Sequence, residues 1–167
     1  MPPYILMPSS APLPERKHLQ RLERIWIKHP VYFLTLCTIS RRRILANATV
    51  AELLVTSWSE AASIHGWLVG RYVIMPDHVH FFVADQTAAK SLSEFLRDWK
   101  RWTTRQVAQT TSIEPPIWQG EFFDHVLRSA RSYAEKWEYV LANPVRAGLV
   151  ASVEQWPYQG EINDLRF

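Results

Sequence analysis

The 167-residue chain contains 1 cysteine, Cys37, so an intrachain disulfide and a cysteine-rich zinc site are both excluded. Cys37 lies in the apolar run Val31-Tyr-Phe-Leu-Thr-Leu-Cys-Thr-Ile39 with no neighbour expected to lower its pKa, and reads as core filling rather than as a nucleophile. No stretch approaches the roughly 18 apolar residues of a membrane span, and the N-terminus lacks the charged start and apolar core of a signal peptide. A cytoplasmic protein without a membrane partner is the expectation. Internal repeats and low-complexity blocks are also missing. What is present is apolar and aromatic: 47% hydrophobic residues, 13% aromatics and 8 tryptophans, a composition that folds. The length suits one domain. A net charge of +3 and a pI near 9.2 lean basic, so the placement of the cations decides what they mean.

Residues 1–28 are proline-rich, then mixed in charge, and read as an N-terminal arm with Leu19, Leu22 and Ile25 spaced for a short helix. Residues 29–144 read as the folded body, and residues 145–167, with Trp156, Pro157 and Tyr158, as a tail packed back on it. Within the body, Val31–Ile39 predicts a strand. Thr49-Val-Ala-Glu52 resembles a capping box, and Val50, Leu53, Leu54, Trp58, Ala61 and Ile64 repeat at helical spacing up to Gly66. Strands are expected at Trp67–Met75, His78–Ala84 and Ile117–Leu127, the last with a bulge at Gly120, and helices at Ser91–Gln109 and Ser129–Ala142. Asn143-Pro144 stops the last helix. The order β-α-β-β-α-β predicts an α+β, ferredoxin-like sandwich: a four-stranded antiparallel sheet, helices on one face, and an appended C-terminal helix.

The chain is organised around Tyr72-Val-Ile-Met-Pro-Asp-His-Val-His-Phe-Phe-Val83, two strands joined by a turn at Pro76-Asp77. Side chains alternate along a strand, so His78 and His80 share a face, roughly 6.6 Å apart, while Val79, Phe81 and Val83 face the helices. Paired imidazoles suit a metal ion, although His-x-His on a strand is often no more than a polar face. Position 82 is Phe, which argues against hydrolases with a His-x-His-x-His triplet. In the expected topology the histidine strand runs down the middle of the open face.

The last helix carries Tyr139 and Asn143, four residues apart on one face. The phenol can attack a phosphate, and the amide oxygen can be a third ligand; alternatively Tyr139 is core and Asn143 a helix cap. Tyr133 is the other candidate nucleophile, with Trp137 at i+4. Arg97, Lys100, Arg101 and Arg105 form a cationic ridge beside the stripe Leu92, Phe95, Leu96, Trp99 and Thr103, and Arg41, Arg42 and Arg43 end the first strand. In isolation these are solvated faces. Beside a nucleic-acid site they become phosphate contacts, with Trp99 or Trp102 as stacking candidates.

Taken together, Tyr72-Val-Ile-Met-Pro-Asp-His-Val-His80, Trp118-Gln-Gly-Glu-Phe-Phe-Asp-His125 with Arg128, and Tyr139-Val-Leu-Ala-Asn-Pro-Val-Arg-Ala-Gly-Leu149 resemble the REP-associated tyrosine transposases. These are IS200-like members of the single-tyrosine HUH branch of single-strand DNA nucleases. The resemblance covers about His29 to Val150. It implies a catalytic body in which His78 and His80 hold a divalent ion, Mg²⁺ or Mn²⁺, with Asn143 as the helix-borne ligand and Tyr139 as the nucleophile. A 5′-phosphotyrosine intermediate follows, formed on single-stranded DNA near palindromic hairpins. Lys100 and its neighbours match the family's helix cations loosely, and no role is carried onto His125, Arg128 or the arm. A monomer using its own tyrosine helix is favoured over a dimer exchanging it. The competing expectation is a non-catalytic or domesticated nucleic-acid-binding protein of RRM-like architecture, which would stack bases on its central strands.

Overall fold

β-Branched and aromatic residues that alternate between two buried faces set the strands, and helical stripes set the rest. The computed structural model describes residues 30–167. The arm at 1–28 and its short helix lie outside the described residues. Along the chain run β1 (Val31–Cys37), α1 (Ala48–His65), β2 (Trp67–Ile74), β3 (His78–Asp85), α2 (Leu92–Thr110), β4 (Phe123–Leu127), α3 (Ala130–Leu141), α4 (Asn143–Arg146) and β5 (Gln159–Glu161). The strands form one sheet in the order β4-β1-β3-β2-β5, every pair antiparallel. The βαββαβ body is the expected α+β class, with β1 and β3 at its centre.

Three expectations are corrected. The sheet has five strands, because the tail contributes β5 to the free edge of β2, pairing Arg71, Tyr72 and Val73 with Glu161, Gly160 and Gln159. Asn47, not Thr49, caps α1, its side chain accepting from the Val50 amide at 3.0 Å. The regular ladder of the fourth strand begins at Phe123, while Trp118 pairs ahead of it as an isolated bridge to Thr38, with the bulge expected at Gly120 lying in the break between them. Ile117 and Trp118 are buried and bonded to the end of β1, Trp118 donates its indole N–H to Thr103, and Lys100 Nζ donates to the carbonyls of Gln119, Gly120 and Glu121, which leave the ladder.

One face of the sheet carries Leu34, Leu36, Val79, Phe81 and Val83 against Val50, Leu54 and Trp58 of α1 and Phe95, Leu96 and Trp99 of α2. Trp58 is the pivot, stacked on Trp99 at 5.7 Å and against Phe81 at 4.9 Å. Trp99 is 2% exposed and donates to Ser57, so it is core and not a base-stacking surface. Each such fully buried side chain contributes roughly 1.5–3 kcal/mol.

The other face is where the chain departs from a two-layer sandwich. α3 lies across it, with Tyr133 and Trp137 on Phe82 at 4.7 and 6.2 Å. Trp156 of the tail closes the same layer and donates to the Ile74 carbonyl. Phe33 and Phe82 on the central strands are therefore 5% and 0% exposed. An RRM-like stacking platform would need them open, and the protein's own helix fills that space. Among the described residues no helix is long and apolar enough to cross a membrane.

Candidate active site

Cross-strand register builds the site. β1 pairs with β3 so that Thr35 opposes His80 and Cys37 opposes His78. The two imidazoles meet at their Nε2 atoms, 3.1 Å apart, with ring planes at 81°. Each Nδ1 is held from behind: that of His78 by the Asp77 carboxylate at 2.7 Å, that of His80 by the Thr35 hydroxyl at 2.8 Å. Phe33 stacks on the His80 ring at 5.4 Å and fixes its plane.

The separation of the two Nε2 atoms can be tested against a shared ion. Metal–imidazole bonds of about 2.1 Å, at angles between octahedral and tetrahedral, place neighbouring nitrogens roughly 3.0–3.4 Å apart. The observed 3.1 Å fits. The partners on Nδ1 are the outer contacts that metal-binding histidines use to set tautomer and orientation. Without an ion, His80 can donate its Nε2 proton to His78 and accept from the Thr35 hydroxyl; with one, the proton moves to Nδ1 and Thr35 accepts.

Electrostatics keep the pair neutral. Burial, then His78 and the cations Arg41, Lys136 and Arg146, push the His80 pKa down to about 3. Burial lowers His78 too, opposed by Asp77. Asp77 itself is held below the usual carboxylate range: burial acts in the opposite direction, but His78 and Arg41 outweigh it. Neutral imidazoles keep their lone pairs for a ligand at ordinary pH.

The turn after β1 supplies Arg41. Ser40 and Arg41 take left-handed φ angles of 52° and 54°, a costly conformation for residues with a Cβ. The contacts of the Arg41 guanidinium offset that cost: Nε to Asp77 at 2.8 Å, Nη1 to the Cys37 sulfur at 2.7 Å, and Nη2 3.5 Å from His78 Nδ1. Arg41 thus ties the end of β1 at Cys37 to the turn ahead of β3 at Asp77. Arg42 instead donates to the carbonyls of Glu114 and Pro116, and Arg43 is exposed.

From α3 the structure brings Tyr139 to this side of the sheet. The ring is 62% exposed. Lys136 Nζ sits 5.2 Å from the Phe33 ring centre and 5.7 Å from that of Tyr139, so one cation spans the tyrosine and the aromatic wall of the histidines. Arg146 of α4 stacks 4.0 Å from the Tyr139 centroid and donates to its carbonyl at 2.8 Å. The same guanidinium donates to the Asn143 side-chain oxygen, so the structure ties that amide to Arg146 rather than to the imidazoles. Tyr133 is 7% exposed, packed on Phe82 and beneath Arg71, and burial raises its pKa. It is core. Among the described residues no group of three or more His, Cys, Asp or Glu converges on a metal position.

Thr35, Lys136 and Arg146 were missed by sequence reasoning. The last two stand at i−3 and i+7 from Tyr139, a helical spacing that could have found them. Thr35 depends on register and could not be found locally.

The α2 cations lie elsewhere. Arg97, Lys100, Arg101 and Arg105 line a groove of about 930 Å³ between α2 and residues 115–122, on the α2 side of the sheet. Lys100 is committed to three carbonyls, while Arg101 and Arg105 are exposed.

This chain and its architecture have counterparts among known proteins. The REP-associated tyrosine transposase of Escherichia coli K12 is 24% identical over 140 residues, covering 84% of this chain and 81% of that protein. A solved structure described as a REP-associated tyrosine transposase bound to a REP hairpin superposes with a TM-score of 0.68 at 22% identity, covering 88% of this chain and 95% of the other. The family described as Transposase IS200 like matches residues 28–140, which include β1 to β4, both histidines and Tyr139. By that match the chain belongs to the IS200-like transposase family.

Proposed function

We propose that the protein is a single-strand DNA endonuclease and strand transferase of the HUH type, cutting beside palindromic repeat hairpins through a 5′-phosphotyrosine. The observation that carries it is the convergence of the His78 and His80 Nε2 atoms on the face that α3 crosses with an exposed Tyr139. Membership of the IS200-like family supports the activity, and the hairpin bound to a structural relative supports the substrate.

His78 and His80 would hold a divalent ion, Mg²⁺ or Mn²⁺, and Asn143 would join them once Arg146 turns to substrate. Nitrogen ligands alone would also suit Zn²⁺; magnesium or manganese follows from the family resemblance. When bound, the ion supplies Lewis-acid stabilisation of charge on the phosphate oxygens. Asp77 and Thr35 orient the imidazoles. Lys136 and Arg146 place positive charge beside the Tyr139 ring, where it can attract the phosphate. The Tyr139 oxygen attacks phosphorus in line, forming the P–O(Tyr) bond as the bond to the 3′ oxygen breaks. The phenolic proton passes to solvent, and the leaving oxygen gains a proton to become a 3′-hydroxyl. Attack by another 3′-hydroxyl reverses the step and joins strands without ATP.

α3 docks on its own sheet, which supports a monomer acting in cis. The α2 groove, with Arg97, Lys100, Arg101 and Arg105 on its wall, is the proposed phosphate track for DNA leaving the site. Arg41 serves the histidine pair, and Arg42 and Arg43 belong at most to the rim. The test is a panel of hairpin oligonucleotides with single-stranded flanks, incubated with and without Mn²⁺ and resolved on a denaturing gel. Wild-type protein gives a covalent adduct; Tyr139→Phe gives none and still binds. An adduct that survives in Tyr139→Phe removes this nucleophile.

A further inference from the structure

Phe123 opens the edge strand β4 and pairs with Thr35, which pairs on its other side with His80. Directly opposed residues of antiparallel strands project from one face, so Phe123, Thr35 and His80 form a single row across the sheet. The bond from Thr35 to His80 Nδ1 identifies that face as the one carrying the histidine pair. Two strand spacings separate Phe123 from His80, about 10 Å. Four large hydrophobic side chains are exposed among the described residues, and Phe123 at 46%, Tyr139 at 62% and Phe167, which packs on Tyr133, stand on this side of the sheet. Later along β4, Val126 and Leu127 are buried, so the open ring marks the start of the strand and not the whole element.

We propose that Phe123 is a stacking platform for a nucleobase next to the phosphate held at the histidine pair. This deepens the nuclease reading and rests on it. A single strand exposes base faces, and an aromatic ring flanked by cations holds them without regard to sequence. Cations stand on the same side of the sheet, Lys136 between Phe33 and Tyr139 and Arg146 on the Tyr139 ring, where they can take the phosphates of that strand. The placement also sets a path. β4 is an edge strand of the sheet, and Phe122, the residue before it, lines the α2 groove with Lys100 Nζ 5.6 Å from its ring centre. Consecutive residues thus face the two sites, and a strand crossing the β4 edge passes from Phe123 into the groove.

The experiment uses the full chain and the hairpin oligonucleotide that gives most adduct, or that binds most tightly, with 2-aminopurine placed singly at each of the nucleotides flanking the cleavage point. Wild-type protein quenches the probe at one of these positions. Phe123→Ala loses that quenching and binds about tenfold more weakly, the loss expected from removing one base–aromatic stack, while Phe123→Trp retains both. Equal binding and quenching in Phe123→Ala would overturn the proposal. So would a Phe123→Leu variant that behaves as wild type, since an aliphatic contact would then suffice. Absence of any adduct with wild-type protein would count against the nuclease reading on the gel, while the fluorescence titration still scores the stack.

Discussion

Replacing Thr35 with valine isolates the register contact on which the histidine pair depends. The substitution keeps the side-chain shape and removes only the hydroxyl that meets His80 Nδ1 at 2.8 Å. His80 is 9% exposed, so its nitrogen is left without that partner in a buried setting. A buried polar group stranded in this way costs about 1–3 kcal/mol. Loss of an outer partner of a metal-binding histidine lowers metal affinity roughly 10–100-fold, which is the same range of energy. The expected result is a fall in Mn²⁺ affinity of that size, measured by titration calorimetry, with a parallel loss of adduct that excess Mn²⁺ restores. Denaturant unfolding of the metal-free protein should show a loss of about 1–2 kcal/mol. Thr35→Ser, which keeps a hydroxyl, should recover most of the affinity. Unchanged Mn²⁺ affinity in Thr35→Val would refute the argument that the hydroxyl orients His80 as a ligand.

Two further outcomes follow from the geometry. A Cβ on Gly70 would lie 2.7 Å from Leu165 Cδ1 and 3.3 Å from the Tyr133 hydroxyl, so Gly70→Ala should destabilise the protein by about 1–3 kcal/mol in chemical denaturation, a cost that Leu165→Ala in the same chain should partly relieve. Exchanging Arg101 and Arg105 for glutamine should flatten the salt dependence of hairpin binding by up to about two phosphate contacts; an unchanged slope would make the groove wall plain solvated surface.

The elements and their faces were legible in the chain because they rest on local periodicity. Alternation along His78–Val83 placed Val79, Phe81 and Val83 on the helical side, and they are there. The spacing of Leu92, Phe95, Leu96 and Trp99 marked α2, and Asn143-Pro144 marked the end of α3. Local pattern failed where distant groups competed for the backbone. Residues 117–122 have the composition of a strand, yet only Trp118 pairs there, with Thr38, and the carbonyls of Gln119, Gly120 and Glu121 taken by Lys100 interrupt the ladder before Phe123. The tail shows no strong strand pattern, and Gln159–Glu161 joins the sheet because β2 offers an unpaired edge.

By itself the sequence determined that two imidazoles share one face of a strand and that a tyrosine and an asparagine follow four residues apart, since both statements need only the period of a strand or a helix. Tertiary structure alone decided that Thr35 backs His80, that Arg41 reaches Asp77, and that Tyr133 and Trp137 of α3 cover Phe82. Those contacts depend on strand register and on a helix docking across the sheet, which are set by burial summed over the whole chain and leave no trace in any short stretch of it.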